Sequence, residues 1–588
     1  MTTIRKKGVG AVAAAAVLAL TLAACGSGGG DDEGTAQGNG DTSMTTEPAD
    51  GVPSSYQGEL PKPEAGKAYN NPQDRDAVKD GGTLNLAISE ITPNWNGFSV
   101  DGNTRYMADF WKLYQTNLWD YDAAGNPTPN PDYLSNVEVT SEDPLVVTYD
   151  VNPKATWNDG TPIDWTAFEA TWKAQSGKTK GFNPTSTTGY DQIKSVEKGK
   201  DDKQVVVTFD TPFFPYQFLF LNLMHPDSLD AKTYTKGWVK EPHNEWAAGP
   251  FVVDSQDETQ ATFVPNPKWW GETPKLEKIV YKQMDASASI NAFQNGEIDA
   301  VEDIAAADRL KVARGMDDVQ ILINYALSTG VFTLNTKAEA LQDLAVRKAV
   351  TQATDVSKLA EIDFQGLGWE EDPAGSEVMS PIQDGYENNM PADAAYSVEN
   401  AKATLEGAGY ALNEESGYYE KDGKPVHLKY TFFGDSPTQT AMANAVQAML
   451  KAAGIEVELD NQDPSKFSDT VLGGKYEMLI MAWSSSDPYG YSTSGYQLYG
   501  SDSDSNFTYI GSKEIDELMK KPGTIEEIPE AIAAFNEAEK KALEQYGTFP
   551  IDFGPAMSGA KKGLANWGPF TSGFQGLNPH PENWGWQS

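Results

Sequence analysis

The sequence predicts an α/β protein that is divided into at least two lobes. The chain has 588 residues, far more than the ~250–300 residues at which a single hydrophobic core stops growing. Its first half is rich in hairpin patterns, whereas the part after about residue 337 alternates helices with strands, which is typical of open α/β sheets. Beyond a short N-terminal segment, no apolar run approaches membrane-spanning length. The body is therefore predicted to be soluble.

The first 26 residues have the pattern of an export signal. A basic start at residues 5–7 is followed by an apolar stretch over residues 9–22 and by Ala-Ala-Cys-Gly, in which Cys25 is the only cysteine of the chain. The apolar stretch is shorter than the ~20 residues that cross a bilayer. The Ala-Ala-Cys-Gly sequence at residues 23–26 resembles the bacterial lipobox. This resemblance implies a signal peptide over residues 1–24 and a lipid on Cys25. The alternative is an ordinary cleaved signal with an incidental cysteine.

The segment after Cys25 is predicted to be a flexible tether. Residues 26–66 are rich in Gly, Asp, Glu, Ser, Thr and Pro and contain almost no large apolar residues, so they bury too little surface to fold alone. We place this tether at residues 25–79.

The charge of the chain argues against two kinds of partner. The formal net charge is −40 and would become −43 without residues 1–24, which carry Arg5, Lys6 and Lys7. Such an acidic body repels nucleic-acid phosphates and anionic lipid headgroups. We therefore expect no nucleic-acid partner, and contact with a membrane through the lipid anchor only.

The first half reads as a strand, a loop, a helix and two hairpins. Alternating Leu84, Leu86 and Ile88 predict a strand, followed by a Gly/Asn-rich loop over residues 92–104 and a helix over residues 105–118. The later elements are predicted in the following order: a hairpin over residues 135–151, a helix capped by Asp164, and a hairpin over residues 193–210.

The second half reads as a strand–helix repeat. The predicted elements, in chain order, are a strand at residues 428–432, a helix after a capping box at residues 436–439, a strand at residues 455–459, a helix after Asp463 and an apolar strand at residues 476–483. This order predicts an open, largely parallel sheet with helices on its faces. Ligands of such sheets bind beyond the carboxyl ends of the strands. The polar loop after the last strand, residues 484–490, is therefore a candidate for ligand contact, and an acidic turn without a ligand is the alternative.

Several short motifs, in order along residues 81–490, resemble those of the family 5 extracellular solute-binding proteins, the oligopeptide-, dipeptide- and nickel-binding components of ABC importers. The matching segments are Gly81-Gly82-Thr83-Leu84, Trp157-Asn158-Asp159-Gly160-Thr161-Pro162, Gly249-Pro250-Phe251, Asn266-Pro267-Lys268-Trp269-Trp270, Asn295-Gly296-Glu297-Ile298-Asp299, Val346-Arg347-Lys348-Ala349-Val350 with Asp355, and Asn400-Ala401-Lys402 with Gly407-Ala408-Gly409-Tyr410.

The resemblance implies a two-lobed fold of the periplasmic-binding-protein type (class II, cluster C), with a ligand cleft between the lobes. Lobe I would comprise residues 80–332 and 553–588, including a hairpin-rich subdomain, and lobe II would comprise residues 333–552. Two crossover hinge segments, near residues 331–335 and 549–553, would join them.

The resemblance also implies ligand-binding residues. Peptide-binding members add the peptide as an extended strand between the lobes and hold its amino group with an aspartate in a W-x-x-D stretch. The counterpart here is Asp487, which follows Trp483 by four residues rather than three. The expected ligand-binding residues from both lobes are Asp487, Trp483, Ser484, Ser485, Ser486, Asn94, Trp95, Gly102 and Asn103.

The expected function is that of a lipid-anchored, monomeric receptor on the extracytoplasmic face of a bacterial cytoplasmic membrane, which captures short peptides for an ABC permease and its ATPase subunits. No enzyme activity, cofactor or metal is expected, because the sequence has no G-x-x-x-x-G-K-[ST], G-x-S-x-G or H-E-x-x-H motif and its four histidines are scattered. The alternatives within the fold are an oligosaccharide, a nickel chelate or haem as ligand. The alternative of another class is a secreted glycosidase or peptidase.

Overall fold

The computed structural model describes most of the chain. The described residues are 43–44, 46–64, 66–326, 328–434, 436–463, 466–484, 490–503, 505–570 and 580–588. The predicted signal peptide, Cys25 and three of the predicted ligand-binding residues, Ser485, Ser486 and Asp487, lie outside these ranges.

Helices occur throughout the described chain. They are α1 (Arg105–Tyr114), α2 (Trp165–Gln175), α3 (Ala286–Gln294), α4 (Ala307–Arg314), α5 (Leu344–Ala353), α6 (Val356–Asp363), α7 (Val398–Gly407), α8 (Pro437–Ala452), α9 (Phe467–Leu472), α10 (Gly490–Tyr499), α11 (Lys513–Lys520) and α12 (Ile528–Leu543). Asp164 accepts a hydrogen bond from the backbone N–H of Thr166 and caps α2 as predicted. Ser436, in contrast, makes no side-chain capping bond at α8. Helix α1 ends four residues earlier than predicted.

The largest sheet combines strands from both ends of the chain. Its order is β1 (Val52–Pro53), β13 (Val319–Tyr325), β22 (Pro555–Lys561), β12 (Ala300–Val301), β2 (Thr83–Ile88), β11 (Lys278–Gln283), β10 (Gln260–Pro265) and β9 (Phe251–Gln256). The predicted first strand is β2, which pairs in parallel with β11 and β12. Asp299, from one of the motifs, accepts hydrogen bonds from the backbone and side-chain nitrogens of Asn85 and from Lys561. It thereby ties β2 to β22.

The two predicted hairpins form one antiparallel sheet. Its order is β5 (Leu134–Glu142), β6 (Leu145–Val151), β8 (Gln204–Phe209) and β7 (Ile193–Lys198). The sheet packs around an apolar group that we call the hairpin cluster, whose buried members include Tyr149, Phe168 and Phe220. Smaller sheets join β3 (Trp119–Tyr121) to β4 (Pro127–Pro129), β16 (Tyr419–Lys421) to β15 (Ala411–Leu412) and β17 (Lys424–Pro425), and β23 (Leu564–Ala565) to β24 (Gly585–Trp586).

A five-stranded sheet forms the centre of the second half. Its order is β19 (Glu456–Gln462), β18 (His427–Phe433), β20 (Met478–Ser484), β14 (Ser328–Leu334) and β21 (Thr548–Pro550). The strands of the predicted repeat, β18, β19 and β20, pair in parallel. However, β14 pairs antiparallel to β20 and to β21. The prediction of a largely parallel sheet was therefore wrong: the sheet is mixed, because two strands from distant parts of the chain complete it.

The chain passes between the eight-stranded and five-stranded sheets twice. The first passage lies between β13 and β14, and the second between β21 and β22. Glu371 fixes the second passage, because one of its carboxylate oxygens accepts hydrogen bonds from the backbone N–H groups of Phe553 (2.7 Å) and Gly554 (3.2 Å). The residue bounds that the sequence analysis gives for the lobes and hinges stay predictions.

The described part of the predicted tether packs on the folded body instead of remaining separate from it. Strand β1 pairs with β13, and Val52, Leu60, Tyr69 and Val78 are almost completely buried. The prediction of a flexible tether was based on composition alone and was wrong for these residues. A few well-spaced apolar side chains are enough to pack a segment on an existing core, although they cannot form a core by themselves.

Three of the motifs meet in a structural joint near the hairpin sheet. The buried Asn266 donates to the side-chain oxygen of Asn158 (2.9 Å) and to the carbonyl oxygen of Gly249 (2.7 Å). The side-chain oxygen of Asn266 accepts a hydrogen bond from the backbone N–H of Lys268. A Cβ atom on Gly249 would lie 2.7 Å from the backbone of Tyr114, so only glycine fits there. These motif residues stabilise the fold.

We expect Asn266→Ala to lower the free energy of unfolding by about 3 kcal/mol, because the Gly249 carbonyl and the Lys268 N–H would lose their partner inside the protein. Denaturant unfolding followed by tryptophan fluorescence measures this loss. Asn295→Ala, at an exposed motif asparagine, should leave stability nearly unchanged. A variant of Asn266 with normal stability but altered ligand affinity would contradict the structural role.

Candidate functional site

A cavity of about 800 Å³ lies where the two large sheets meet. One wall is formed by α1 and the residues just before it, and a second by residues 185–190 and 218–222. The floor includes the end of β13, the start of β22 and, from the five-stranded sheet, Ser328 and Ser484. Ser328 and Ser484 are opposite each other in the pairing of β14 with β20. The cavity is thus lined from both sheets, beside both chain passages.

The α1 wall of the cavity carries paired charges. Arg105 contacts Glu302 with an N···O distance of 3.0 Å, and Lys112 contacts Asp109 at 3.2 Å. Asp303, which also lines the cavity, contacts Arg309 at 3.1 Å. Burial and the neighbouring Asp109 carboxylate raise the pKa of Glu302 above its ordinary value, although Arg105 opposes the shift. Each of these three carboxylates therefore already has a cationic partner.

Aromatic side chains line the rest of the cavity. They are Phe98, Trp111, Tyr190, Phe218 and Tyr325. The rings of Phe98 and Trp111 are in edge contact, with their centroids 4.9 Å apart. The indole N–H of Trp111 donates to the carbonyl oxygen of Trp95 (2.9 Å), so this ring has a fixed orientation. The cavity therefore offers both apolar faces and charged groups.

The structure brings two of the predicted ligand-binding residues to the cavity, Asn103 and Ser484. Trp95 is fully buried and stacks on Phe110, with ring centroids 5.3 Å apart. Asn94 is buried, and its side-chain oxygen accepts from the N–H of Asn96. A Cβ atom on Gly102 would lie 2.3 Å from the carbonyl oxygen of Asn96, so this glycine permits close packing.

The remaining predicted residue, Trp483, packs against a group that we call the helical cluster. The buried members of this cluster include Met379, Tyr499, Met519 and Phe535. The cluster joins α10, α11 and α12. The indole N–H of Trp483 is buried without a hydrogen-bond partner among the described residues. Ligand contact by the predicted residues stays a prediction.

The sequence analysis missed the charged residues of the α1 wall. Arg105, Asp109 and Lys112 follow the spacing i, i+4, i+7 on an otherwise apolar helix, which places them on one helix face. Glu302 and Asp303 directly follow β12, at the carboxyl end of a strand that pairs in parallel with β2. Both signals were present in the sequence. Without the fold, however, they could not be distinguished from the many other acidic residues.

Comparison with known proteins identifies the family. The family model for the bacterial extracellular solute-binding proteins, family 5 Middle, matches residues 128–506. The chain belongs to this family. It is also 32% identical over 508 residues to an oligopeptide-binding protein OppA of Mycobacterium tuberculosis (strain ATCC 25618 / H37Rv), covering 85% of this chain and 84% of the relative. The suspected resemblance is thereby confirmed, and the chain is a family 5 solute-binding protein of an ABC importer.

Solved structures confirm the fold class. A periplasmic EDTA-binding protein, EppA, matches 87% of this chain and 98% of its own with a TM-score of 0.79 and 27% identity. The oligopeptide-binding protein AppA from Bacillus subtilis, in complex with a nonapeptide, matches 87% of this chain and all of its own with a TM-score of 0.68 and 20% identity. The two-lobed fold of solute-binding proteins is therefore present here. None of the helices in the described ranges combines the length and apolar character that crossing a membrane requires.

Proposed function

We propose that this protein binds short peptides outside the cell and delivers them unchanged to an ABC permease and its ATPase subunits. The observation that carries the proposal is the cavity between the sheets, with charged, polar and aromatic groups on its walls and Ser484 on its floor. A peptide has a charged amino group, a charged carboxylate and a polar main chain. A cavity with such mixed walls suits this combination better than it suits a purely apolar ligand.

The pairing of charges in the cavity favours an additional carboxylate as the anchor of the peptide's amino group. Asp109, Glu302 and Asp303 are each paired with a cation of the protein. A ligand ammonium that is removed from water needs an anionic partner of its own. Asp487 follows Ser484 by three residues, and three residues span at most about 11 Å between Cα atoms. We therefore assign the anchor to Asp487.

The relatives support a peptide ligand but also provide alternatives. An OppA relative is named an oligopeptide-binding protein, and the AppA structure contains a nonapeptide. EppA is named an EDTA-binding protein, and a relative from Escherichia coli (strain K12), 24% identical, is named a nickel-binding periplasmic protein. None of the four histidines is among the described residues that line the cavity. The aromatic rings of the wall keep an oligosaccharide as the second candidate, since planar apolar faces also suit sugar rings.

Mass spectrometry of the molecules that co-purify with the protein tests the proposal. We expect a mixture of short peptides that are released on denaturation and absent from a mock purification. Incubation of the purified protein with these peptides should leave them intact. Recovery of a glycan or a metal chelate instead, or cleavage of the peptides, would replace the proposed function with one of the alternatives.

The proposed location follows from the sequence pattern at the N-terminus. Cys25 would carry the lipid that holds a monomeric receptor to the extracytoplasmic face of the membrane. Most of residues 46–79 pack on the folded body. In this arrangement the receptor stays close to its permease.

A further inference from the structure

One loop of the hairpin sheet reaches the turn between α11 and α12. We call residues 211–223, which follow β8, the bridging loop. Its base is firmly attached to its own side: Phe213 and Phe220 are buried in the hairpin cluster, and the carbonyl oxygen of Leu221 accepts from the N–H of Leu118. The hydroxyl group of Tyr121 also donates to the carbonyl oxygen of Gln217 (3.1 Å). The bridging loop is therefore held against the hairpin sheet by its own contacts.

Two contacts connect the bridging loop to the helices α10–α12. The backbone N–H of Phe214 donates to the carbonyl oxygen of Gly523, with an N···O distance of 3.0 Å. Gly523 lies in the single turn Pro522–Thr524 between α11 and α12. The side chain of Phe218 packs against both the hairpin cluster and the helical cluster. The bridging loop thus makes a non-covalent connection between the part of the chain that carries the hairpin sheet and the part that carries α10–α12.

Phe218 also lines the cavity. It therefore lies between the ligand space and the contact that joins the two sides. A ligand can leave a cavity between two lobes only when the lobes separate, and separation here must remove the Phe218 ring from the helical cluster. Exposing part of an aromatic ring to water opposes that step.

We propose that Phe218 is a positioning residue that holds the two lobes in the closed arrangement, and that it does so through the helical cluster even when no ligand is bound. The inference deepens the proposed function, because it names the contact that controls the release of the captured ligand. It does not depend on the ligand being a peptide. Its test therefore uses the ligand-free protein.

Leu221 provides a matched control. It belongs to the same loop and lines the same cavity. Among the described residues, it packs on the hairpin cluster and is not a member of the helical cluster. Leu221→Ala therefore removes an apolar wall of the cavity but leaves the connection across it intact, whereas Phe218→Ala removes both.

The test is a disulfide that reports closure. Phe214→Cys and Gly523→Cys are combined with Cys25→Ser in the full chain, so that only the introduced thiols are present. Their backbone hydrogen bond keeps the two Cα atoms within about 7 Å in the closed arrangement. The ligand is removed by partial denaturation and refolding, and the rate of cross-linking in a fixed glutathione buffer is followed by non-reducing electrophoresis. Thermal unfolding of each variant is measured in parallel.

We expect Phe218→Ala to slow cross-linking of the ligand-free chain about tenfold, and Leu221→Ala to leave the rate unchanged. Phe218→Leu, which retains part of the apolar contact, should show an intermediate rate and replaces the alanine variant if the latter does not fold. Equal rates in all folded variants would overturn the inference, as would a reporter pair that never cross-links. The proposed function would fail separately, if the protein co-purified with something other than peptides.

Discussion

Replacing Asp487 with alanine should weaken the binding of a free-amine peptide about thirtyfold or more, and should change the binding of the same peptide acetylated at its N-terminus by only a fewfold. The proposed contact pairs the peptide's ammonium with the Asp487 carboxylate away from bulk water. Truncating one partner of such a pair costs about 2–5 kcal/mol, because the other charge is left buried alone, and each 1.4 kcal/mol is a factor of ten in affinity. Isothermal titration calorimetry with the two peptides measures the difference.

A second carboxylate of the cavity provides the control for this experiment. Asp303→Asn removes a negative charge from the cavity wall, but that carboxylate is exposed and already paired with Arg309. We expect a similar, small loss for both peptides. Equal losses for both peptides in Asp487→Ala would remove Asp487 from the anchoring role. A selective loss in Asp303→Asn would transfer that role to Asp303.

The second large effect concerns the dependence of stability on pH. Glu377 and Glu539 are both fully buried, and the carboxylate of Glu539 accepts hydrogen bonds from the backbone N–H of Glu377 (3.0 Å), the hydroxyl of Tyr499 (3.0 Å) and the amide of Asn389 (2.6 Å). Burial, together with the charge of Glu539, raises the pKa of Glu377 to about 8. At neutral pH, Glu377 is therefore protonated in the folded protein and ionised in the unfolded chain.

The sign of the effect follows from this difference. A raised pKa in the folded state contributes stability that is fully present below the ordinary pKa near 4.5 and is lost as the pH rises towards about 8. Each pKa unit corresponds to about 1.4 kcal/mol, so the wild type should lose about 4 kcal/mol of this contribution between pH 4.5 and pH 8. Glu377→Gln keeps the shape of the side chain without a titratable proton. It should match the wild type near pH 5 and be more stable by several kcal/mol at pH 8.

Denaturant unfolding at pH 5 and pH 8 measures the two stabilities. Glu387→Gln, at an exposed residue that pairs with Lys540, should reproduce the wild-type slope. Burial also raises the pKa of Asp552 to about 8, so some slope of the same sign should remain in Glu377→Gln. If the stability of the wild type and Glu377→Gln changed in parallel with pH, the raised pKa of Glu377 would be excluded.

The sequence predicted the fold well where short-range patterns decide the structure. The hairpins of β5–β8, the capping of α2 by Asp164 and the parallel strands β18–β20 all depend on residues close together in the chain. The mixed character of the five-stranded sheet could not be predicted in this way. Strands β14 and β21 are more than two hundred residues apart, and nothing local in either sequence specifies its neighbour.

The candidate site was harder to predict because loops with similar compositions have different environments. The Gly- and Asn-rich loop at residues 92–104 places Asn103 on the cavity but buries Trp95, since exposing a ring of that size would cost more free energy than orienting it inwards. The charged face of α1 lines the cavity only because the end of β13, the start of β22 and Ser484 lie opposite it. That arrangement is a property of the tertiary structure.

The joint formed by Asn158, Gly249 and Asn266 has a practical consequence for redirecting the protein to new ligands. These motif residues stabilise the fold, so random changes there would reduce the amount of folded protein and leave the choice of ligand intact. Libraries intended to change selectivity would gain most from varying the face of α1 that lines the cavity and the segment after Ser484. In an uptake screen that did not correct for receptor abundance, loss at the joint would be mistaken for altered preference.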